Sequence, residues 1–140
     1  MNLTEKQIIE IAENLECGMR CLYNIKTSEV KTLPNFDRWD GVDEELWEEA
    51  IKEIEENWGD YFEFEGMDST DSFRIMEDFA ETVDDIRLQN ELINALNRRK
   101  PFQNFKWQID NSEYRQQWFA FKKQRFIQWV KEQIDLQNEE

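Results

Sequence analysis

The sequence predicts an α+β fold in which helices cover more than half of the chain and a small antiparallel sheet is built on an N-terminal hairpin. Apolar residues recur at helical spacing in about five segments, whereas residues 19–33 alternate as the strands of a hairpin do. At 140 residues with 14% aromatic residues, the chain can bury a core without disulfides or metal. We therefore expect a single domain over residues 1–140.

The first predicted element is a short helix over residues 4–16. Thr4 and Gln7 have the spacing of a capping box. Four apolar residues follow on one helical face, namely Ile8, Ile11, Ala12 and Leu15. Gly18 is a stop signal for this helix, because glycine is favoured just after a helix C-terminus.

A β-hairpin is predicted over residues 19–33. Apolar side chains alternate along its first strand, and residues 26–29 form the turn. Residues 35–42 then form a linker, which we expect Phe36 and Trp39 to anchor.

An acidic amphipathic helix is predicted over residues 43–58. Its apolar face consists of Trp47, Ala50, Ile51, Ile54 and Trp58. Residues 61–64 are expected to form a third short strand, and two further helices follow at about 72–83 and 85–97.

The C-terminal stretch 101–129 is unusually rich in rings, with eight Trp and Phe side chains among 29 residues. Pro101 is expected to open a short helix, because proline is tolerated in the first turn. We expect its rings Phe102 and Phe105 to interlock with Trp118 and Phe121 of the last helix in the core. The last helix is expected to begin near Ser112. Its apolar side chains form two groups: Tyr114, Trp118, Phe121 and Trp129 on one side, and Phe119, Phe126, Val130 and Ile134 on the other.

Charge is distributed unevenly along the chain, whose net charge is −15. Residues 37–91 contain 21 acidic and 4 basic side chains, a balance of −17. Residues 98–131 contain 9 basic and 2 acidic side chains, a balance of +7. The strongly acidic part argues against non-specific affinity of the whole molecule for nucleic acid or an anionic membrane.

Residue types needed for many reactions are missing. The chain contains no His and four isolated Gly, which excludes a Ser-His-Asp triad and a glycine-rich phosphate loop within this sequence. Cys17 and Cys21 have neither the spacing of a redox pair nor enough nitrogen ligands nearby for zinc. We expect no catalytic, cofactor-binding or metal site, although the carboxylates of residues 43–58 and 77–85 leave a carboxylate-dependent metalloenzyme as an alternative.

A candidate interaction surface is predicted from the basic side chains of the C-terminal half. Its members are Arg98, Arg99, Lys100, Lys106, Lys122, Lys123 and Arg125. With Trp107 or Trp118 as a stacking platform, this stretch could bind RNA or another single strand. The interpretation we favour is that most rings are core and the cations pair with acidic residues or lie over rings. Lys106 either pairs with an acid of residues 77–85 or contacts a partner.

Specific motifs of the C-terminal half point to a family. They comprise Phe79, Glu81-Thr82, Leu92, Ala95-Leu96, Phe102, Phe105-Lys106, Trp118, Phe121 and Trp129. In these residues the chain resembles a small bacterial family of unknown function, uncharacterised protein family 0158. The resemblance implies a glycine-containing turn where this chain has Arg98–Pro101, so we expect a different turn geometry here. It supports the fold and implies no activity, ligand or catalytic residue.

The favoured functional hypothesis is a cytoplasmic, non-enzymatic interaction or regulatory module that binds a protein partner. Its acidic face and its basic-aromatic end are the candidate surfaces. Nucleic-acid binding and the metalloenzyme remain alternatives. We expect no membrane association, because no signal peptide is recognisable and no apolar run approaches the roughly 18 residues of a membrane span. The sequence leaves the oligomeric state open.

Overall fold

The computed structural model describes residues 1–36 and 43–139. It confirms a mostly helical α+β protein, 66% helical, with a three-stranded antiparallel sheet. The helices are α1 Glu5–Glu16, α2 Glu48–Glu56, α3 Ser69–Thr82, α4 Ile86–Leu96, α5 Pro101–Asp110 and α6 Arg115–Glu139. The strands are β1 Arg20–Asn24, β2 Val30–Leu33 and β3 Tyr61–Phe64. The chain forms two compact units, residues 1–66 with 126–140 (unit 1) and residues 67–125 (unit 2).

Helix α1 begins and ends where the sequence predicts. The Gln7 backbone N–H donates to Oγ1 of Thr4 (3.1 Å), and the Thr4 N–H donates to Oε1 of Gln7 (3.0 Å), which completes the capping box. Gly18 has a φ of 82°, a conformation that costs glycine little because it has no Cβ.

The sheet has the order β2-β1-β3, so β1 is its central strand. Asn24 shapes the hairpin turn, because its buried Oδ1 accepts hydrogen bonds from the backbone N–H groups of Lys26 (2.9 Å) and Thr27 (3.0 Å). Both the hairpin and the third strand were predicted and are confirmed.

The predicted helix 43–58 is divided into a 3-10 turn, Glu44–Trp47, and helix α2. Ile54 is buried in an apolar cluster with Leu22 of β1 and Leu33 of β2. The prediction for Trp58 was wrong, since this ring is 54% exposed. Helix α2 ends at Glu56, where Asn57 donates to the Glu53 carbonyl from its backbone N–H (3.2 Å) and from Nδ2 (2.9 Å). Trp58 lies in a separate 3-10 turn.

The predicted linker is described only in part. Phe36 is half-buried, and Trp39 lies outside the described residues.

In unit 1, helix α6 binds the end of β3 through the backbone of Glu65. The Glu65 N–H donates to Oε1 of Gln133 (2.8 Å), and the Glu65 carbonyl accepts from Nε2 of Gln133 (3.0 Å) and Nε1 of Trp129 (2.7 Å). Trp129 therefore acts as a hydrogen-bond donor as well as an apolar side chain.

The core of unit 2 is centred on three rings from α3, α5 and α6. Trp118 lies 5.3 Å from Phe79 and 5.0 Å from Phe105, measured between ring centroids. The surrounding buried residues are Ile75, Ala80, Val83, Leu88, Leu92, Leu96 and Ile109.

The expectation that Phe102 belongs to this core was wrong, because the ring is 38% exposed. It lies at the edge of the α5 stripe, whose centre is occupied by Phe105 and Ile109. Phe119 of α6 is exposed to a similar extent, 39%, unlike the other members of its predicted group.

Candidate interaction surface

The turn between α4 and α5 presents three consecutive cations, Arg98, Arg99 and Lys100. Lys100 has φ 54° and ψ 56°, the left-handed conformation, which costs a residue with a Cβ roughly 1–2 kcal/mol. The Arg99 carbonyl accepts a hydrogen bond from Nδ2 of Asn104 (2.8 Å), which holds the turn against α5. Where the family resemblance implied a glycine, the turn contains a lysine in the conformation that glycine favours.

Helices α4 and α5 with the turn between them form a helical hairpin, whose exposed cations have no acidic partner in the described parts of the chain. The side chains of Arg98, Arg99, Lys100 and Lys106 are exposed and form no hydrogen bond or ion pair with residues 1–36 or 43–139. Of the two alternatives for Lys106, the pairing with an acid of residues 77–85 is not found. We call these four cations together with Trp107 the hairpin surface.

The predicted cations Lys122 and Arg125 of α6 are instead engaged within unit 2. Lys122 Nζ lies 5.4 Å from the Trp118 ring centroid. Arg125 Nη1 donates to Oδ2 of Asp78 on α3 (2.6 Å), and its guanidinium lies 5.8 Å from the Phe121 ring. Lys123 is exposed, and it too has an interaction partner. The structure thus separates these three residues from the four cations of the hairpin surface.

The two predicted stacking platforms differ in exposure. Trp118 is buried, with 5% of its surface accessible, whereas Trp107 is 63% exposed. Trp107 follows Phe105 by two residues on α5, which turns its ring away from the core. Of these two rings, Trp107 is the one that can offer a face to a ligand.

A cleft between α4 and α5 lies beside Trp107. Its volume is about 110 Å³, and its walls are formed by Glu91, Asn94, Ala95, Arg98, Asn104, Trp107 and Gln108. Sequence reasoning identified Arg98 and Trp107 but missed the amide side chains. A usable signal existed, since Asn94 and Arg98 on one side and Asn104 and Gln108 on the other are spaced i, i+4.

The acidic side chains line a surface cleft of about 540 Å³ on the 3-10 turn and α2, formed by Glu44, Glu45, Glu48 and Glu55 with Ile51 and Lys52, but in the described chain they form no metal-binding cluster with one another or with the cysteines. Among residues 1–36 and 43–139, no group of three or more Cys, Asp or Glu side chains could hold a metal ion. Cys17 is exposed and Cys21 is buried, and both are free thiols. Burial, with a smaller contribution from the Glu10 carboxylate, raises the pKa of the Cys21 thiol to about 12. In the same ranges, no helix is long and apolar enough to cross a bilayer.

The net charge of the chain resides in unit 1. Residues 67–125 contain 10 basic and 10 acidic side chains and are neutral overall, whereas the remaining residues contain 7 basic and 22 acidic side chains. Within unit 2, residues 98–125 hold 8 of the basic side chains and only 2 of the acidic ones. The hairpin surface is therefore a local positive region in an acidic protein.

These features define a small, mostly helical α+β protein with a cationic helical hairpin. The model of the Uncharacterised protein family (UPF0158) matches residues 36–139, and the chain belongs to this family. It is similar to the UPF0158 protein PA5073 of Pseudomonas aeruginosa, with 32% identity over 65 residues. That alignment covers 46% of this chain and 42% of the relative, so the chain matches less than half of the relative's length. No solved structure matches the chain.

Proposed function

We propose that this chain is a non-enzymatic interaction module that binds an acidic segment of a partner protein through the hairpin surface. The observation that carries this proposal is the group of four exposed cations, Arg98, Arg99, Lys100 and Lys106, that have no acidic partner among the described residues. Acidic residues outnumber basic ones by 32 to 17, so intramolecular partners for a cation are abundant. The absence of pairing at this hairpin leaves these charges available to another molecule.

The conformation of Lys100 supports the same proposal. Its left-handed backbone would be less strained with glycine, so the lysine side chain is present despite a conformational penalty. Strained residues concentrate where a side chain has a function outside the fold. Mutual repulsion among three consecutive cations adds to this penalty and would be relieved by a bound anion.

We place this interaction in the cytoplasm. Support comes from the free thiols Cys17 and Cys21, which are typical of a reducing compartment.

The test is a titration of isotope-labelled full chain with a short peptide of alternating Glu and Ser, followed by NMR at low and at high salt. We expect shifts in residues 98–107 that weaken as salt is added. A variant in which Arg98, Arg99, Lys100 and Lys106 are all replaced by Gln should lose binding. The matched control replaces four exposed cations elsewhere, namely Lys6, Lys26, Lys52 and Arg74, by Gln, which changes the net charge equally. No shifts at low salt, or an equal loss in the control, would overturn the proposal.

Single-stranded nucleic acid is the second candidate, favoured by one specific observation. The exposed Trp107 ring lies beside Arg98 at the cleft, and a ring next to a cation is what stacking of a base requires. The net charge of −15 opposes binding of a long polyanion, so an acidic peptide of lower charge is the preferred ligand. Anisotropy of a labelled oligouridylate at low salt tests this candidate: binding that falls steeply with salt and is lost in Trp107→Ala supports it.

A further inference from the structure

The cleft between α4 and α5 is too small for a cofactor or metabolite. Its volume of about 110 Å³ is well below the roughly 300–1,000 Å³ of sites that enclose a drug-sized ligand. A cavity of about 150 Å³ accommodates benzene, so this one has room for about four or five non-hydrogen atoms. That is the size of one Asp or Glu side chain.

The polar groups around the cleft favour a carboxylate. Arg98 offers a guanidinium without an ion-pair partner among residues 1–36 and 43–139, and guanidinium binds carboxylate through two parallel hydrogen bonds. Asn94 and Gln108 offer side-chain amide donors from opposite walls. Asn104 already donates from Nδ2 to the Arg99 carbonyl, which leaves it as a positioning residue for the turn.

The one acidic side chain in the wall is already partly neutralised. Glu91 Oε1 lies 3.5 Å from Nε of Arg87, so its charge opposes an incoming anion less than a lone carboxylate would. The exposed Trp107 indole lies on the opposite wall, which α5 forms. It can cover the methylene groups of a bound side chain, which excludes water from the charged contact.

We infer that this cleft receives one Glu or Asp side chain of an acidic peptide segment, with Arg98 binding the carboxylate and Trp107 covering it. The inference rests on the proposed function and adds a defined anchor to it. The remaining cations of the hairpin surface then attract the rest of the segment without fixing its position.

Neighbouring arginines provide a matched test. Arg98 lines the cleft and Arg99 does not, while Arg98→Gln and Arg99→Gln change the net charge equally. With the alternating Glu and Ser peptide, amidated at its C-terminus, we expect Arg98→Gln to raise Kd by about tenfold to a hundredfold. Arg99→Gln should raise it by about fivefold or less. Replacing every Glu of the peptide by Gln should abolish binding.

The Trp107 indole N–H signal reports directly on the cleft. The chain has six Trp, and the signal of Trp107 is assigned by its disappearance in Trp107→Phe. We expect it to shift with the Glu peptide in wild type and to shift far less in Arg98→Gln.

Failure of the cleft can be told apart from failure of the hairpin surface. Equal weakening by Arg98→Gln and Arg99→Gln, with an unmoved Trp107 signal, would overturn the cleft and leave the hairpin surface intact. No peptide binding at low salt would overturn both. A Trp107 signal that moves with oligouridylate and not with the peptide would overturn the inference in favour of a nucleic acid base.

Discussion

Replacing Trp118 by Ala tests the core of unit 2. The ring is 5% exposed and contacts Phe79 and Phe105 at centroid distances of 5.3 and 5.0 Å. Burial of about 200 Å² of ring surface contributes roughly 5 kcal/mol at about 25 cal/mol per Å². Because Ala retains part of this burial while a cavity is left, we expect a loss of about 3–5 kcal/mol. For a chain of this size that corresponds to a fall in Tm of roughly 10–20 °C.

Trp107→Ala is the matched control, since it removes the same ring from the same unit at a site that is 63% exposed. We expect it to lower the free energy of unfolding by about 1 kcal/mol or less. Urea unfolding followed by far-UV circular dichroism is the appropriate assay, because both variants change the tryptophan fluorescence. Hydrogen exchange of the amides in α3, α4 and α5 would localise the loss to unit 2.

A small effect of Trp118→Ala would refute the assignment of this ring to the core. If Trp118→Ala unfolds within about 0.5 kcal/mol of wild type, a spread typical of surface substitutions, the ring is not part of the core. Trp118 would then be restored as a stacking platform, and the separation of Trp107 from Trp118 would fail. A larger loss of stability in Trp107→Ala than in Trp118→Ala would contradict the assignment of Trp118 as buried and Trp107 as exposed.

Burial raises the pKa of Cys21 to about 12 from an ordinary 9.0, so between about pH 9 and pH 12 only the unfolded thiol ionises. This thiol should make the free energy of unfolding fall with rising pH by up to about 1.4 kcal/mol per pH unit, and Cys21→Ala should show a shallower fall in urea titrations. Lys100→Gly should leave the free energy of unfolding unchanged or raise it by up to about 1 kcal/mol, yet weaken peptide binding. The control Lys106→Gly, inside α5, should lower the free energy of unfolding by about 1 kcal/mol. Destabilisation by Lys100→Gly would contradict the left-handed conformation of the turn. If residues 1–140 form one domain, probes in units 1 and 2 should report the same unfolding transition; two separate transitions would contradict this.

Most helices and strands could be predicted because their sequence signals are local. The capping box of Thr4 and Gln7, the glycine at position 18 and the alternation of residues 19–33 each act within a few residues, and each is confirmed. Trp58 and Phe102 were misplaced for a different reason. Trp58 lies at the end of the apolar face of its predicted helix, where a change to a 3-10 turn decides whether the ring is buried. Phe102 lies at the edge of the apolar face of α5, where a small rotation of the helix decides whether its ring is buried.

The candidate surface was predicted only as a set of basic residues, and the structure divides that set. The partner of Arg125 is Asp78, 47 residues earlier in the chain, and no spacing rule reveals a contact at that separation. Lys122 and Lys106 are both lysines in ring-rich helices, yet only the former lies over rings in the described structure. The pairing of Arg125 depends on the packing of α3 against α6, which the local pattern does not contain. Lys122, by contrast, lies over rings of its own helix, three and four residues earlier.

Lys100 shows how fold and function can be separated in this protein. A residue selected only for the turn would be glycine, because glycine adopts the observed φ of 54° without strain. A residue selected only for charge could occupy any exposed position of α4 or α5 at no conformational penalty. Lys100 combines a penalty to the fold with a cation that has no partner in the described chain. This combination is expected where the direction of a charge matters as well as its sign, as it does when Arg98, Arg99 and Lys100 must meet one acidic segment.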